Sequence, residues 1–284
     1  MTAIFHQNMR TFGGGSAGRN AAFTAAFGAM AAGVGAGVVV AGFTEISNPN
    51  LTLRNRLLGF SAILGAGLTR IAVMQVGTSA LGLTEYIGIT WDPVQLAATH
   101  AGMVVYNNMT RTWTPYVSPA PPAGPAAPVL TIPGAPFQAV DSRGPAFIAG
   151  ALAGGYGNVV VMFMHNMYNL GDRSTGFSGL QSCAENIRNA LPGPYAAATI
   201  YIGGDYNVLP RDLRKRRGNM PLLTYRAQRV GDAIAGALVN TTAVNCYDYW
   251  LLSNPAPVPL ANVRVFAQSR AAFASDHAAI RATI

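Results

Sequence analysis

"TFGGGSAGRN" (Thr11–Asn20) fits two chemical motifs at once. Gly13, Gly15 and Gly18 spell G-x-G-x-x-G, the dinucleotide-binding fingerprint. Gly14, Ser16 and Gly18 spell G-x-S-x-G, the nucleophile elbow of hydrolases. The surrounding residues choose between these and a third reading, a turn that starts a helix. A dinucleotide fingerprint begins right at a strand end, but here the polar "HQNMRT" (His6–Thr11) intervenes. A nucleophile elbow needs an acid and then a histidine later in the chain. Asp248 and His277 could serve, yet Ser16 falls before most strands exist to present it. The stretch reads as a turn and a helix start.

Working outward, half of the 284 residues are hydrophobic, enough to bury a sizeable core in one large domain or two small ones. Only 11% are charged, with a net charge of +8, which suggests an anionic partner and says nothing about fold. Lys215 is the single lysine among 19 basic residues, and arginine forks suit phosphate better than ammonium does. The abundance of Ala, Gly, Arg and Pro also fits a GC-rich coding bias. Cys183 and Cys246 allow one disulfide or two thiols and are too few for a zinc cluster. "MTAIFHQNMR" (Met1–Arg10) has no apolar core of a secretory signal, leaving a cytoplasmic protein or one secreted without its signal. The uncharged stretch Ala21–Thr44 is long enough for a membrane helix. Gly33, Gly35 and Gly37 interrupt it, and Val38–Val40 look like a strand. A helix, a turn and a buried strand explain it better than a span.

Periodicity predicts strands over 2–8, 37–43, 85–91, 100–109, 146–152, 157–166, 197–207, 245–253, 262–267 and 275–284. Helices are predicted over 18–32, 51–64, 179–191 and 227–238. Residues 117–136, "VSPAPPAGPAAPVLTIPGAP", are proline-rich and expected to be an exposed loop insertion. With no repeat and no linker, one α/β domain over 1–284 with two packed sheets is the simplest account.

The scarce ionisable groups gather at strand ends: Glu45 in "AGFTEIS", His165 in "FMHN", Asp205 in "IGGDYN", Asp248 in "CYDYW", and Asp276 with His277 in "ASDHAA". Strand ends and the loops beyond them are where a rigid scaffold displays chemistry. Carboxylates with an Asn and a His make a hard-oxygen metal site plus a base, which suits magnesium and phosphoryl chemistry rather than zinc.

In order, "FHQNMR", "FTEIS", "FMHN", "GGDYN", "YDYWLLS" and "SDHAAI" resemble the signature series of the endonuclease/exonuclease/phosphatase superfamily, the deoxyribonuclease-I-like fold. The resemblance runs from Asn8 to His277, and "TEYIGITW" and "SRGPAF" add weaker matches. It implies a four-layered α/β/β/α sandwich of two packed mixed sheets. It also implies that Glu45 and Asn8 hold magnesium, with Asp276 near it and manganese or calcium as substitutes. His277 would be general base or phosphate ligand, oriented by Asp248. Asp205 and Asn207 would position the attacking water and the phosphate. His165, paired with Glu85, would face the leaving oxygen, and Arg143 would contact a phosphate oxygen. "FTEI" departs from the family's usual Gln-Glu pair, and "SDHAAI" lacks the usual proline after the histidine. His6 and His100 lie outside the pattern and read as structural.

"PRDLRKRR" (210–217), with Arg211 and Arg214, follows the G-D-x-N element and would track a nucleic-acid backbone beside the site. His165, Glu85 and the segment around Arg143 resemble deoxyribonucleases and the catalytic subunit of cytolethal distending toxins. The arginine-tyrosine and Trp-x-Asp-Arg hallmarks of inositol-polyphosphate phosphatases are absent. A DNA-cleaving nuclease is therefore expected, with delivery partner subunits if the chain is toxin-like. The alternatives are a phosphatase or phospholipase of the same superfamily and a non-catalytic binding protein on its scaffold.

Overall fold

The computed structural model describes residues 2–13, 16–32, 37–78, 84–107, 110, 112–132, 143–166, 186–187, 189–209, 223–226, 241–243, 245–253, 260–266 and 275–284. A six-stranded sheet contains β1 (Ala3–Phe12), β2 (Val38–Ile46), β3 (Arg70–Thr78), β4 (Thr84–Trp91), β12 (Ala261–Phe266) and β13 (Ala279–Thr283), in the order β12-β13-β1-β2-β4-β3. A seven-stranded sheet contains β5 (Leu96–Asn107), β6 (Thr112–Ser118), β7 (Ala146–Leu152), β8 (Gly157–His165), β9 (Thr199–Asp205), β10 (Leu223–Arg226) and β11 (Asp248–Ser253), in the order β10-β11-β9-β8-β7-β5-β6. Each sheet is mixed: β1 pairs parallel with β2 and β8 parallel with β9, while their other partners run antiparallel.

Side chains alternate across a strand, so each strand feeds two layers. Ile4 of β1, Val40 of β2, Val161 and Phe163 of β8, Tyr201 of β9 and Trp250 of β11 fill the space between the sheets. Ala3 and Phe5 point the other way, onto helices α1 (Ala17–Ala32) and α2 (Leu51–Leu64). The inner layer is close enough to need missing side chains. A Cβ on Gly42 would meet the Phe163 ring at 2.2 Å, and one on Gly203 would meet Trp250 at 2.5 Å. Both substitutions would displace a core aromatic ring.

The helices cover one sheet by their own periodicity. Phe23, Ala26, Phe27 and Met30 recur at helical spacing on α1, as do Leu53, Leu57, Phe60 and Leu64 on α2. Phe27 meets Phe60 edge-on with centroids 5.5 Å apart. Asn50 caps α2, its side chain accepting from Leu53 N–H at 2.9 Å. The opening stretch does the same for α1. Ser16 Oγ accepts from Arg19 N–H at 3.2 Å, and its carbonyl accepts from Asn20 N–H at 3.0 Å. Ser16 is thus a cap, as a turn and helix start require. On the outer face of the second sheet, Ile187, Leu191 and Tyr195 join Val160, Met162 and Ile200 in a separate apolar cluster. The helices expected over 179–191 and 227–238 lie mostly or wholly outside the described residues, as does Cys183. Among the described residues no helix is long and apolar enough to cross a membrane.

The proline-rich stretch differs from its expected form. Residues 117–118 finish β6, and the described part up to Ile132 runs along the open edge of β3. Gly124 N–H donates to Ile71 O at 3.0 Å, Leu130 N–H to Val73 O at 2.9 Å, and Gln75 N–H to Leu130 O at 2.8 Å. Prolines cannot build a full ladder, but residues between them pair often enough to blunt an edge.

Candidate active site

The inward series of the central strands all end in polar side chains at one end of the sandwich. β1 reads Ile4, His6, Asn8; β8 reads Val161, Phe163, His165; β9 reads Tyr201, Gly203, Asp205. β11 and β4 run antiparallel, so their N-terminal ends reach the same place: Leu252, Trp250, Asp248 and Ile89, Ile87, Glu85. Period 2 and sheet register therefore bring together residues far apart in the chain.

Glu45 breaks this alternation. Gly42 and Thr44 of β2 face inward, so Glu45 should face out. Its φ of 56°, with a register shift between Phe43 and Ile46, turns it back. Such a backbone costs on the order of 1–3 kcal/mol for a residue other than glycine. It is held by its hydrogen bonds: Oε1 accepts from Asn8 Nδ2 at 2.8 Å and Oε2 from Thr11 N–H at 3.0 Å.

Asp205 is the centre of the cluster. Its Oδ2 lies 3.1 Å from Asn8 Nδ2, 3.5 Å from His277 Nε2 and 3.6 Å from His165 Nε2. Asn207, with φ 51°, donates its N–H to Asp205 Oδ1 at 2.9 Å and its Nδ2 to Asn166 O at 2.8 Å. His277 donates from Nδ1 to Asp248 Oδ2 at 2.7 Å. His165 Nδ1 lies 2.5 Å from Glu85 Oε1, and its Nε2 lies 3.0 Å from Glu45 Oε1. Arg143 Nη1 donates to Glu85 Oε2 at 2.9 Å and also touches the His165 ring. Its Nε is buried without a partner among the described residues.

These neighbours set the charge states. Burial opposes a proton on His277, but Asp248 and Asp205 outweigh it and push its pKa up to about 11. Burial and Arg143 oppose a proton on His165, yet Glu85 and Glu45 still raise it to about 9. Burial raises the Asp205 carboxyl, reinforced by Asp248 and resisted by His277. Glu45 stays well below the usual carboxylate range, because His165 and Asn8 overcome its burial. His6, fully buried, is lowered to about 3 by desolvation and so is neutral.

Asn8, Glu45, Glu85, Arg143, His165, Asp205, Asn207, Asp248 and His277 thus share one site. Asp276 turns away, its half-exposed carboxylate 3.6 Å from Arg10 Nε. Arg211 and Arg214 lie outside the described residues. Sequence reasoning passed over three residues. Ser275 Oγ donates to Asn8 O at 2.8 Å and accepts from His277 N–H at 3.1 Å. Thr241 Oγ1 accepts from Asp248 N–H at 3.0 Å. His6 sits beneath the site, its Nε2 3.1 Å from Thr44 Oγ1. Ser275 was visible within "SDH", and His6 as the inward neighbour of Asn8; Thr241 has no motif of its own.

No protein-family model matches the sequence, and no curated protein matches it. Solved structures do. The human Nocturnin catalytic domain with bound sulfate aligns at TM-score 0.63 and 12% identity, over 99% of this chain and 93% of that one. An endonuclease/exonuclease/phosphatase family protein from Leptotrichia buccalis aligns at 0.61 and 12%, over 100% and 99%. D. rerio TDP2 complexed with single-strand DNA product aligns at 0.57 and 10%, over 99% and 97%. The chain has the endonuclease/exonuclease/phosphatase fold.

In this fold the chain's own donors suit a hard cation. Ligand atoms of Glu45, His165 and Asp205 lie within 4.8 Å of one another, and so do those of Asp205, Asp248 and His277. Two carboxylates meeting at one point favour a divalent ion bound through oxygen. Asn8 here turns Nδ2 toward the carboxylates, while its Oδ1 accepts from Arg10 N–H at 2.8 Å. Glu45 and Asp205 could hold such an ion, and Asn8 Nδ2 bridges their carboxylates.

Proposed function

We propose that the chain is a metal-dependent phosphodiester hydrolase whose substrate is nucleic acid, DNA foremost. The observation that carries this reading is the convergence of Asn8, His165 and His277 on a single oxygen of Asp205. A magnesium ion held by Glu45 and Asp205 would neutralise the phosphoryl oxygens and favour the unprotonated form of His277, while Glu85 keeps His165 protonated. The residues supply the rest. Water attacks phosphorus, and its proton passes to the Asp205–His277 pair, whose charge Asp248 supports. The bond from phosphorus to the leaving oxygen breaks, and His165 protonates that oxygen from Nε2, held by Glu85. Arg143 offers a fixed positive charge beside the transferred group. The net charge of +8 and the pairing of Glu85 with His165 favour a nuclease over a phosphatase.

Nicking of supercoiled plasmid with magnesium, with and without EDTA, tests this proposal. Magnesium-dependent nicking supports it. Well-folded protein that leaves plasmid intact but releases phosphate from phosphoinositides or phosphomonoesters would move the reading to the phosphatase class.

A further inference from the structure

His6 is fully buried, stacked on Phe163 with centroids 6.1 Å apart and planes 18° off parallel. A polar ring there is costly unless both nitrogens are used. Nε2 meets Thr44 Oγ1, but Nδ1 has no hydrogen-bond partner among the described residues. Asp248 has the matching deficit. Its Oδ2 accepts from His277, while its Oδ1 is buried without a hydrogen-bond partner among the described residues. The two unpartnered atoms face each other at 3.8 Å, just beyond hydrogen-bond length and too close for a water between them. Buried polar atoms rarely remain unpaired, and a small turn of either side chain pairs both.

We propose that His6 is a positioning residue of the site, donating from Nδ1 to Asp248 Oδ1 so that Asp248 is clamped between two histidines. The neutral ring has one N–H. Thr44 Oγ1–H donates to Nε2, which leaves that N–H on Nδ1. Asp248 then cannot swing, and His277 Nε2 stays aimed at Asp205. The effect on turnover rests on the hydrolase reading above; the hydrogen bond does not.

Two measurements test the proposal. Long-range nitrogen–proton NMR of the wild-type protein at neutral pH should show His6 with its proton on Nδ1. A proton on Nε2 would overturn the proposal whether or not the protein has any activity. In nicking assays, His6→Leu should lower kcat about tenfold with little change in KM, the scale of one lost hydrogen bond. His6→Asn places its amide nitrogen near the Nδ1 position and should recover much of the rate; His6→Gln places it near Nε2 and should not. Equal recovery by Gln, or no loss in the Leu variant, would reduce His6 to a packing residue.

Discussion

Two histidines face the same oxygen of Asp205, and their backing differs. His277 is backed by Asp248 on Nδ1 and reaches a pKa of about 11. His165 is backed by Glu85, but Arg143 lies against the same ring and the same carboxylate, and it reaches about 9. A cation added to a carboxylate–histidine pair makes the proton easier to release. In the proposed reaction that ordering is useful: the weaker acid stays with the water and the stronger one serves the leaving oxygen.

The most severe break in this comparison is Asp248→Asn. It removes the carboxylate that holds His277, and kcat should fall about 10²–10⁴-fold. Plasmid nicking under single-turnover conditions measures it. Glu85→Gln should cost less, about 10–10²-fold, because Glu45 still holds the His165 ring at Nε2. A loss equal to that of Asp248→Asn would mean the two arms are not graded. Arg143→Met sharpens the comparison: in metal-free protein His165 should release its proton at higher pH, nearer to His277, as read by NMR titration.

The stability of the metal-free protein should follow the same ordering. Both histidines are raised above the ordinary value of 6.5, so their stabilisation is complete below pH 6.5 and is lost as pH rises, through about 9 for His165 and about 11 for His277. Melting temperature in EDTA should fall steadily from neutral to alkaline pH, and Asp248→Asn should flatten the upper part. Glu45 acts in the opposite direction, its stabilisation fading as pH falls below its ordinary 4.5.

Central elements were legible because both faces of their strands are buried: β1, β8, β9 and β11 read as apolar runs ending in Asn8, His165, Asp205 and the segment at Asp248. The strands missed, β3, β6 and β10, are all at sheet edges. β6 carries Pro115, which an edge tolerates and a sequence reading takes as a break. β3 is covered by the proline-rich stretch, a tertiary pairing that local pattern does not encode. The inward turn of Glu45 depends on its φ of 56°, which its residue type would not suggest. In "SDH", the acid drew attention, yet Ser275 points inward and Asp276 lies outside with Arg10.

Asp205 is where the two arms meet, so Asp205→Asn tests the account most directly. The measurement is magnesium-dependent plasmid nicking under single-turnover conditions, alongside a melting curve. The account predicts a loss of about 10²–10⁴-fold in a protein that remains folded. Near wild-type cleavage by the folded variant would contradict it.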